Sequence, residues 1–460
     1  MSIYKPCDIR GSATLELTVD LYRHWGSKLG GQLPPGAKFV IGGDIRASTP
    51  AFLAALCEGL CRSALDVVNL GILPTPMVYY AKRRLQAAGC AVVTGSHHSA
   101  DSNGLKWMLG DRPPRTCEVA AMRDAGDDLA RRPSTARSLD VSFDYVACMQ
   151  ETFVDSLGAQ LHVVIDPLGG VWAGRARRYL QAIFPQCLFS AIHDTADPRY
   201  CEEVPDCARA QRLEGLSEAV YRERTHLGIA FDGDGDRLAV VDNEGVVLSP
   251  EETTWVLLQC LGKELQGQQF VHDMKFSDRI SEAAGQFGAQ PIRERSGHGF
   301  LCARMRETDA LFGAESNGHY FHRVLEGCDD GLYTACRLIA HLARSKDSLA
   351  DMRRDCPPLY MTPDLRIAVP WSEHSAILDG VRTAWEGFPQ RFVDGVRVDI
   401  PGGWALVRSS VSEPALTFRF EGLDWHALDD IVHRFCARLT KKLGGQVWEA
   451  YSVALGKERP

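Results

Sequence analysis

Apolar runs with the length and composition of buried strands alternate with helical patterns along most of the chain. This alternation predicts parallel α/β layering. Residues 38–42 form the first predicted strand, which a Gly-Asp loop joins to a helix that extends to about Arg62. We predict that the Thr49 side chain caps this helix and that Pro50 occupies its first position, where proline is tolerated.

A coarse repeat divides most of the chain into three similar units. Each unit begins with a strand, a short polar loop and a helix, and the opening strands are residues 38–41, 162–166 and 270–273. Later in each unit a second apolar strand ends in a loop of small and polar residues; these strands are residues 91–94, 228–231 and 311–313. Ligands of open α/β sheets bind beyond the carboxyl ends of strands, so we expect the chemistry in these loops.

The C-terminal part of the sequence has a different pattern, with short β-rich runs ahead of one amphipathic helix. The runs cover residues 395–400, 404–408 and 415–420, and the predicted helix covers residues 425–443. Strands grouped ahead of a helix are typical of an α+β domain. Proline-containing stretches at residues 131–134 and 356–363 are the predicted linkers.

Composition and charge exclude several classes of protein. A length of 460 residues suggests about three domains, and two or four domains are also compatible with this length. The composition, with 45% hydrophobic and 24% charged residues, is ordinary for a globular protein. The net charge of −8 gives no sequence-wide attraction to nucleic acid. No apolar run approaches the ~20 residues of a membrane span, and Lys5, Asp8 and Arg10 lie where a signal peptide needs apolar residues. We therefore expect a cytoplasmic protein without a nucleic-acid or membrane partner.

The sharpest motif is an acidic loop after the strand at residues 228–231, in which Asp232, Asp234 and Asp236 alternate with glycines. Three carboxylates at alternate positions can bind one hard cation if glycines let the backbone bend between them. An EF-hand loop is excluded, because its sixth and twelfth positions require Gly and Glu. Arg237 and Asn243 occupy those positions here. A solvated acidic turn is the alternative.

A second loop contains Gly95, Ser96, His97 and His98 and also follows a predicted strand. The serine is a candidate nucleophile, but the loop lacks the closing glycine of the Gly-x-Ser-x-Gly motif of hydrolases. A serine beside a three-aspartate metal site favours phosphoryl transfer over acyl transfer, because a divalent cation neutralises charge on the transferred group. Asn103 and the residues up to Lys106 are interpreted as a returning turn.

Two further loops offer ligand-binding groups. Residues 408–414 combine Arg408 with three serines, a composition suited to binding phosphate, although a hydroxyl-rich hairpin is the alternative. Residues 315–319 offer a carboxylate, an amide and an imidazole, which suit sugar hydroxyls, and a polar turn is the alternative there. Single cationic or titratable groups at other loop positions are weaker candidates, namely Lys5, Arg10, Lys275 and His298.

In their order and spacing, the four loops resemble those of the α-D-phosphohexomutases, and most closely those of the bacterial phosphomannomutase/phosphoglucomutase branch. The resemblance extends from the Asp-Ile-Arg-Gly segment at Asp8 to the Ser-Glu-Pro segment at Ser412, and it includes Asp329-Asp330-Gly331. It implies three similar mixed α/β domains and a smaller C-terminal α+β domain around a central cleft. We place these four domains at residues 1–142, 143–246, 247–358 and 359–460.

The resemblance also implies an enzyme and its reaction. It implies an enzyme that interconverts hexose 1-phosphate and hexose 6-phosphate, of mannose or glucose, through a hexose 1,6-bisphosphate that is both intermediate and activator. By the same resemblance, Ser96 is expected to carry the phosphoryl group, and one Mg²⁺ per active site is expected to bridge that group to Asp232, Asp234 and Asp236. We expect a phosphosugar as the small-molecule partner and a monomer or dimer.

Further roles follow from the same resemblance. The positions implied to manage protons or steady the transferred group are Arg10, His97, Lys106, Arg237 and His319. The positions implied to bind the distant phosphate are Lys275, His298, Arg408, Ser410 and Ser412. Glu315 and Asn317 are implied to bind the sugar hydroxyls.

Several positions depart from the pattern of the family. Cys7 replaces a tyrosine, His98 and Ser99 replace an asparagine and a proline, Asn317 replaces a serine and Ser412 replaces a threonine. Two alternative functions stay open, and the second of them follows from the changes at His98 and Ser99. One is a phosphoglucosamine mutase, and the other is a non-catalytic relative that only binds phosphosugars.

Overall fold

The computed structural model describes residues 2–124, 133–156, 158, 160–200, 204–410 and 414–456. Within these residues the strands form four sheets, of which three are combined with helices in α/β layers and the fourth is antiparallel. The predicted fold class is confirmed. Among the described helices, none combines the length and apolar character that a membrane span requires.

The first sheet carries the predicted serine loop, which is the loop that contains Gly95, Ser96, His97 and His98. Its elements are β1 (Ile9–Ser12), α1 (Val19–Gly31), β2 (Lys38–Gly43), α2 (Thr49–Arg62), β3 (Asp66–Ile72), α3 (Thr75–Arg84), β4 (Gly89–Val93), β5 (Ser102–Leu109), α4 (Thr116–Ala121) and β6 (Arg137–Ser138). The strand order is β1-β5-β4-β2-β3-β6. β2 is parallel to β3 and β4, whereas β5 is antiparallel to both β4 and β1.

Helices α1 and α2 pack closely over this sheet because two glycines leave room for backbone contact. A Cβ atom at Gly59 would lie 2.1 Å from the Arg23 carbonyl oxygen, and one at Gly26 would lie 2.3 Å from that of Leu56. Beside this crossing, the rings of Tyr22 and Phe52 stack with centroids 4.3 Å apart. This core supports the strands from which the serine loop emerges.

The second sheet carries the acidic loop. Its region contains α5 (Ser142–Thr152), β7 (His162–Asp166), α6 (Ala176–Ile183), β8 (Leu188–Ala191), α7 (Glu214–Glu223), β9 (Leu227–Phe231) and β10 (Leu238–Asp242), with 3₁₀ turns at Val154–Ser156 and Ala210–Leu213. The order is β10-β9-β7-β8, in which β9 and β10 form an antiparallel pair and β7 is parallel to both neighbours. The acidic loop connects β9 to β10.

The third sheet carries the predicted sugar loop, which is residues 315–319. Its region contains α8 (Pro250–Leu261), β11 (Gln269–Asp273), α9 (Asp278–Gln286), β12 (Gln290–Glu294), α10 (His298–Glu307), β13 (Phe312–Ala314), β14 (Tyr320–His322), β15 (Cys328–Asp329), α11 (Gly331–Leu342) and α12 (Leu349–Arg354), with 3₁₀ turns at Gly262–Leu265 and Arg323–Leu325. The strand order is β12-β11-β13-β14-β15. The sugar loop connects the antiparallel strands β13 and β14.

The fourth sheet is antiparallel and lies in the C-terminal part. Its region contains β16 (Tyr360–Met361), β17 (Leu365–Ala368), α13 (Trp371–Ala384), β18 (Gln390–Arg391), β19 (Val396–Ile400), β20 (Gly403–Ser409), β21 (Ala415–Gly422), α14 (Trp425–Cys436) and α15 (Lys441–Ala454). The order is β16-β21-β20-β19-β18, and β17 also pairs with β21. The predicted phosphate loop, residues 408–414, covers the connection from β20 to β21 in the sequence.

The chain forms two compact units. The larger unit comprises Met1–Val271, Phe287–Gln290 and Gly297–Cys356, and the smaller unit comprises His272–Gln286, Pro291–Ser296 and Pro357–Pro460. The change of unit at Cys356 falls in one predicted linker, whereas residues 131 and 132 of the other linker lie outside the described residues. The four domain boundaries and the central cleft stay predictions.

Three local predictions were wrong. Thr49 lies inside α2 instead of capping it: Ser48 is the N-cap residue, and the Thr49 hydroxyl donates to Asp44 Oδ1. The segment from Asn103 to Lys106 is part of β5 and not a turn, because it pairs with strands on both sides. The single helix predicted over residues 425–443 is two helices, and the Thr440 side chain caps the second.

Candidate active site

The serine loop begins where β4 ends, and the side chain of its Ser96 is buried. Ser96 has 1% of its surface exposed and adopts a left-handed backbone conformation, with φ +51°. Its Oγ lies 3.1 Å from His97 Nδ1 and donates a 3.4 Å hydrogen bond to Asp232 Oδ2. The structure therefore brings the candidate nucleophile to the acidic loop, although 136 residues separate Ser96 from Asp232.

The acidic loop brings its three carboxylates together in the interior. Asp232, Asp234 and Asp236 each offer an oxygen, and these oxygens all lie within 4.8 Å of one another. Gly235 has φ +78°, and a Cβ atom there would lie 2.2 Å from Trp172 Nε1, so the loop needs a glycine at this position. A Cβ atom at Gly233 would lie 2.5 Å from the Ser96 carbonyl oxygen. Gly233 thus permits the close approach of the two loops, and Gly235 permits the close approach of the Trp172 ring.

The charges of the acidic loop are only partly balanced by a lysine. Lys106 on β5 donates to Asp234 Oδ2 at 2.8 Å and to Asp236 Oδ2 at 2.6 Å. Burial alone would lower the pKa of Lys106, but these carboxylates outweigh it and raise that pKa, so the ammonium group stays charged. Burial and two neighbouring carboxylates hold the pKa of Asp232 well above its usual range. A further cation would relieve this repulsion.

The donor set fits a hard divalent cation. Asp234 Oδ1 and Asp236 Oδ1 are buried and make no hydrogen bond within the described part of the chain. Buried polar atoms are normally satisfied, so two orphaned carboxylate oxygens beside Asp232 indicate a ligand. Carboxylate oxygens are the ligands that Mg²⁺, Ca²⁺ and Mn²⁺ prefer. A buried acidic cluster able to hold a metal is therefore part of this structure.

Arg237 and His319 join the acidic loop to the sugar loop. Arg237 Nε donates to His319 Nε2 at 3.0 Å and lies 3.7 Å from Asp232 Oδ2. His319 Nδ1 lies 2.6 Å from Asp329 Oδ2. Burial lowers the pKa of His319 to about 4 despite the nearby Asp236, so the ring is neutral at pH 7. Its contact with Arg237 assigns the ring proton to Nδ1.

The sugar loop is a tight turn between β13 and β14. The Glu315 amide donates to the His319 carbonyl oxygen at 2.9 Å, and Gly318 in the turn has φ +93°. Glu315 is buried, and Asn317 Oδ1 has no hydrogen-bond partner among the described residues. The His298 ring stacks on the His319 ring with centroids 5.9 Å apart, and burial lowers the pKa of His298 to about 3.

Near the N-terminus, β1 contributes a further cation. Arg10 on β1 forms an ion pair with Asp8 and lies in register with Gly104 of β5, two residues from Lys106. Burial is the largest cause that lowers the pKa of His97 well below the usual range, and the charges of Arg237 and Arg10 add to it. The His97 imidazole is therefore neutral. Cys7, which replaces the tyrosine of the family, lies beside Gly299, and burial raises the pKa of its thiol to about 12.

The predicted phosphate-binding residues belong to the smaller unit, except His298, which belongs to the larger unit. Lys275 Nζ lies 3.0 Å from Asp364 Oδ2, and Arg408 Nε donates to Asp394 Oδ2 at 2.8 Å. Ser410 is buried, with its amide bonded to the Ala415 carbonyl oxygen, whereas Ser412 lies outside the described residues. Within this unit, Lys275, Arg419 and Arg408 outweigh the effect of burial and lower the pKa of Asp364.

Sequence reasoning missed several residues that support these groups. In the larger unit Asp234 also accepts a hydrogen bond from Thr75, at 2.8 Å, and lies 3.1 Å from the Thr94 hydroxyl. In the smaller unit Asp364 faces both Lys275 and Arg419. A single threonine or aspartate in a loop has no distinguishing pattern, so only the three-dimensional contacts reveal them.

An α/β enzyme that transfers phosphoryl groups is the class that this fold and this chemistry define. Comparison with known proteins narrows the class. Family models described as phosphoglucomutase/phosphomannomutase, alpha/beta/alpha domains I, II and III, match residues 2–118, 143–245 and 249–360 respectively.

Individual relatives cover almost the whole chain. A phosphomannomutase/phosphoglucomutase of Pseudomonas aeruginosa is 30% identical over 91% of this chain and 91% of its own length. A phosphoglucomutase of Neisseria gonorrhoeae is 29% identical over 95% of this chain and 96% of its own length. The crystal structure of a phosphoglucomutase/phosphomannomutase family protein from Burkholderia thailandensis superposes with a TM-score of 0.84 at 28% identity and covers 96% of this chain and 97% of that one.

The chain belongs to the phosphoglucomutase/phosphomannomutase family of α-D-phosphohexomutases. The predicted family is thus confirmed, and so is the predicted enzyme class, an intramolecular phosphotransferase acting as a phosphohexomutase. The particular roles assigned to the site residues stay predictions.

The geometry around Lys106 yields a stability prediction. We expect Lys106→Met to lower the free energy of unfolding by about 3–5 kcal/mol in a chelating buffer, because removing one partner of a buried ion pair leaves the other uncompensated. Added Mg²⁺ should restore part of the loss, since it supplies the missing positive charge. Denaturant unfolding with and without Mg²⁺ measures both effects.

Lys38→Met is the matched control for this experiment. Lys38 lies on β2 of the same sheet, but its Nζ donates to the Leu85 carbonyl oxygen and not to a carboxylate. Equal losses in the two variants, or a Lys106→Met protein that Mg²⁺ does not stabilise, would contradict the charge balance described for the acidic loop.

Proposed function

We propose that this phosphohexomutase interconverts the 1-phosphates and 6-phosphates of mannose and glucose through a phosphoryl group carried on Ser96 Oγ. The observation that carries the proposal is the 3.4 Å hydrogen bond from Ser96 Oγ to Asp232 within a buried cluster of carboxylates. A serine held there is accessible to a cation that the cluster binds, and phosphoryl transfer depends on positioning and charge neutralisation.

The sugar preference is proposed from the relatives. The Pseudomonas aeruginosa relative is named for both mannose and glucose phosphates, and it aligns with this chain over 91% of its length. Glu315 and Asn317 are assigned to the sugar hydroxyls, because a buried carboxylate and an unpartnered amide oxygen both accept hydrogen bonds. Faster turnover of glucosamine phosphate than of either neutral sugar would instead identify a phosphoglucosamine mutase.

The metal is proposed to be Mg²⁺, one ion per active site. Asp232, Asp234 and Asp236 would hold it, together with an oxygen on Ser96. When bound, Mg²⁺ supplies charge neutralisation to the phosphoryl group being transferred. The cluster chemistry supports an oxygen-preferring divalent cation.

The protein groups around Ser96 are assigned separate tasks. His97 is neutral, and its Nδ1 lies 3.1 Å from Ser96 Oγ. It therefore accepts the Ser96 proton as the Oγ–phosphorus bond forms and passes that proton to the sugar oxygen as its bond to phosphorus breaks, so that the sugar leaves as a hydroxyl. In the reverse transfer the attacking sugar hydroxyl gives up its proton, and His97 delivers a proton to Ser96 Oγ as the Oγ–phosphorus bond breaks. Proton transfer of this kind typically contributes ~100- to 10,000-fold in rate.

Three cationic side chains are assigned to stabilising the transferred phosphoryl group. Lys106 is fully charged and bonded to two carboxylates, so it serves as an electrostatic group and not as a base. Arg237 is oriented by its hydrogen bond to His319, which is in turn held by Asp329. Arg10 adds a further positive charge. We assign these groups to stabilising the charge on the phosphoryl oxygens during transfer.

The distant phosphate of the substrate is assigned to Arg408, Ser410, Ser412 and Lys275, with His298 as a further contact. Either phosphate of hexose 1,6-bisphosphate can occupy one anion site while the other is presented to Ser96. Arginine with hydroxyl groups is a donor set suited to phosphate. The bisphosphate is therefore proposed as both intermediate and activator.

Ser96→Ala tests the carrier. We expect the variant to lose phosphorylation by glucose 1,6-bisphosphate and to lose mutase turnover by at least about 1,000-fold, because the residual positioning cannot replace the covalent step. Thermal unfolding should be unchanged within a few degrees, since only a hydroxyl is removed. Coupled mutase assays measure the turnover, and intact-protein mass spectrometry with site mapping measures the phosphorylation.

Ser99→Ala is the matched control, because Ser99 lies in the same loop and its hydroxyl donates to Asp101. It should keep its phosphorylation and most of its turnover. Near-parental activity in Ser96→Ala would rule out Ser96 as the carrier. A folded wild-type protein that binds the bisphosphate but neither gains phosphate nor turns over substrate would identify a non-catalytic phosphosugar-binding protein.

Arg408→Ala tests the phosphate assignment. We expect the KM for glucose 1-phosphate to rise about 10- to 100-fold, because a hydrogen bond to a charged group is worth roughly 1.5–3 kcal/mol. Arg434→Ala, which removes an arginine from an exposed helical pair with Asp430, should leave KM unchanged. Steady-state kinetics measure both, and equal KM values in the two variants would argue against Arg408 as a phosphate ligand.

A further inference from the structure

A buried arginine lies directly beneath the serine loop and has no role in the reaction described above. Arg46 follows β2, has no exposed surface, and pairs through Nε with Asp44 Oδ2 at 3.0 Å. The partner, Asp44, is equally buried. Removing either partner would leave the other as an uncompensated buried charge, so the two side chains depend on each other.

The guanidinium of Arg46 is bonded to the backbone of the serine loop. Its Nη2 donates to the carbonyl oxygens of Ser96, at 2.8 Å, and His98, at 2.7 Å. Its Nη1 donates to the carbonyl oxygen of Ser99. One planar group therefore fixes three carbonyl groups of a four-residue segment. The planarity of the guanidinium makes its donor directions fixed relative to one another.

Asp44 holds the same loop from its N-terminal side. Its Oδ2 accepts a hydrogen bond from the Gly95 amide at 3.0 Å and one from the Thr94 hydroxyl at 2.9 Å. Thr94 Oγ1 in turn accepts from the Ser96 amide at 2.8 Å. The ion pair thus contacts the backbone before and after the serine.

The loop fits closely on Arg46 and is linked to the acidic loop by a tyrosine. A Cβ atom at Gly95 would lie 2.5 Å from Arg46 Nε, so a larger residue cannot occupy that position without displacing the arginine. The Arg46 guanidinium lies 5.1 Å from the centroid of the Tyr200 ring, and the Tyr200 hydroxyl donates to the Gly233 carbonyl oxygen at 3.4 Å. Arg46 therefore contacts a residue that also bonds to the metal-binding loop.

We propose that Arg46 is a positioning residue for the phosphoryl carrier, which holds Ser96 in its left-handed conformation with Oγ facing Asp232. A left-handed conformation is unfavourable for a serine and persists only where surrounding contacts enforce it. The three carbonyl bonds of Arg46 are those contacts. Ser99 stands where the family usually has a proline, so its φ angle is not fixed by a ring, and the Arg46 bond to its carbonyl holds this end of the loop. The proposal rests on the proposed function of Ser96.

The test compares three variants of the full-length protein. Arg46→Lys keeps a positive charge beside Asp44 but cannot donate to three carbonyls, and Arg46→Gln removes the charge. Arg353→Lys is the matched control: Arg353 forms a comparable ion pair in the same unit, with Asp242 Oδ2 at 2.6 Å, away from the serine loop. If Arg46→Gln does not fold, Arg46→Lys alone provides the comparison with the control.

We expect kcat to fall about 30- to 100-fold in Arg46→Lys and further in Arg46→Gln, because small misplacements of a reacting group cost about 100-fold in rate. The KM for glucose 1-phosphate should stay within about threefold, since Arg46 is not assigned to the substrate. The rate of Ser96 phosphorylation by glucose 1,6-bisphosphate should fall in parallel with kcat. Arg353→Lys should lose thermal stability to a similar degree and keep its kcat.

Amide hydrogen exchange provides a measurement that does not depend on activity. A peptide covering residues 94–102 should exchange faster in Arg46→Lys than in wild type or in Arg353→Lys. The proposal is overturned if exchange in this peptide is unchanged, or if kcat falls no more in Arg46→Lys than in Arg353→Lys. Failure of the proposed function is separate and visible in wild type, as mutase turnover without phosphate on Ser96, and the exchange comparison still tests the loop contact in that case.

Discussion

Burying three carboxylates within a few ångströms of one another is the constraint on which the candidate active site depends. Asp232, Asp234 and Asp236 have almost no exposed surface, and such a cluster is stable only if positive charge and hydrogen bonds surround it. Lys106 and Arg237 supply the charge, and Thr75 supplies a hydroxyl. These groups come from distant parts of the sequence, so satisfying the carboxylates also brings the serine loop and the sugar loop to the same place in the larger unit.

The residues assigned to phosphoryl transfer and those assigned to phosphate binding differ in the balance of charges around them. In the larger unit carboxylates are in excess around Lys106, which favours a cation. In the smaller unit Lys275, Arg408 and Arg419 surround Asp364, and Arg408 also contacts Asp394, so an anionic phosphate would meet several cations. The acidic cluster of the larger unit thus favours the proposed cation, and the cationic cluster of the smaller unit favours the proposed phosphate.

The sequence predicted what local patterns encode and failed where distant contacts decide. The acidic loop was recognisable because its alternating glycines and aspartates are a local pattern, and the strand before it was placed within one residue. The Thr49 prediction is wrong for a more local reason: the Thr49 hydroxyl donates to Asp44 in the loop between β2 and α2, a contact that cap preferences do not reveal. Lys106 was placed in a turn, although its strand pairs on both sides, and the contacts of Arg46 with residues about 50 positions away have no sequence signature.

Anomalous diffraction from crystals of the full-length protein soaked in MnCl₂ would show whether the three aspartates bind a cation, because Mn²⁺ shares the ligand preference of Mg²⁺ and can be located by its scattering. We expect one manganese ion bound by carboxylate oxygens of Asp232, Asp234 and Asp236, on the side that Ser96 Oγ faces. Crystals in which these three carboxylates bind no manganese, with Lys106 remaining the cation that balances them, would contradict this expectation.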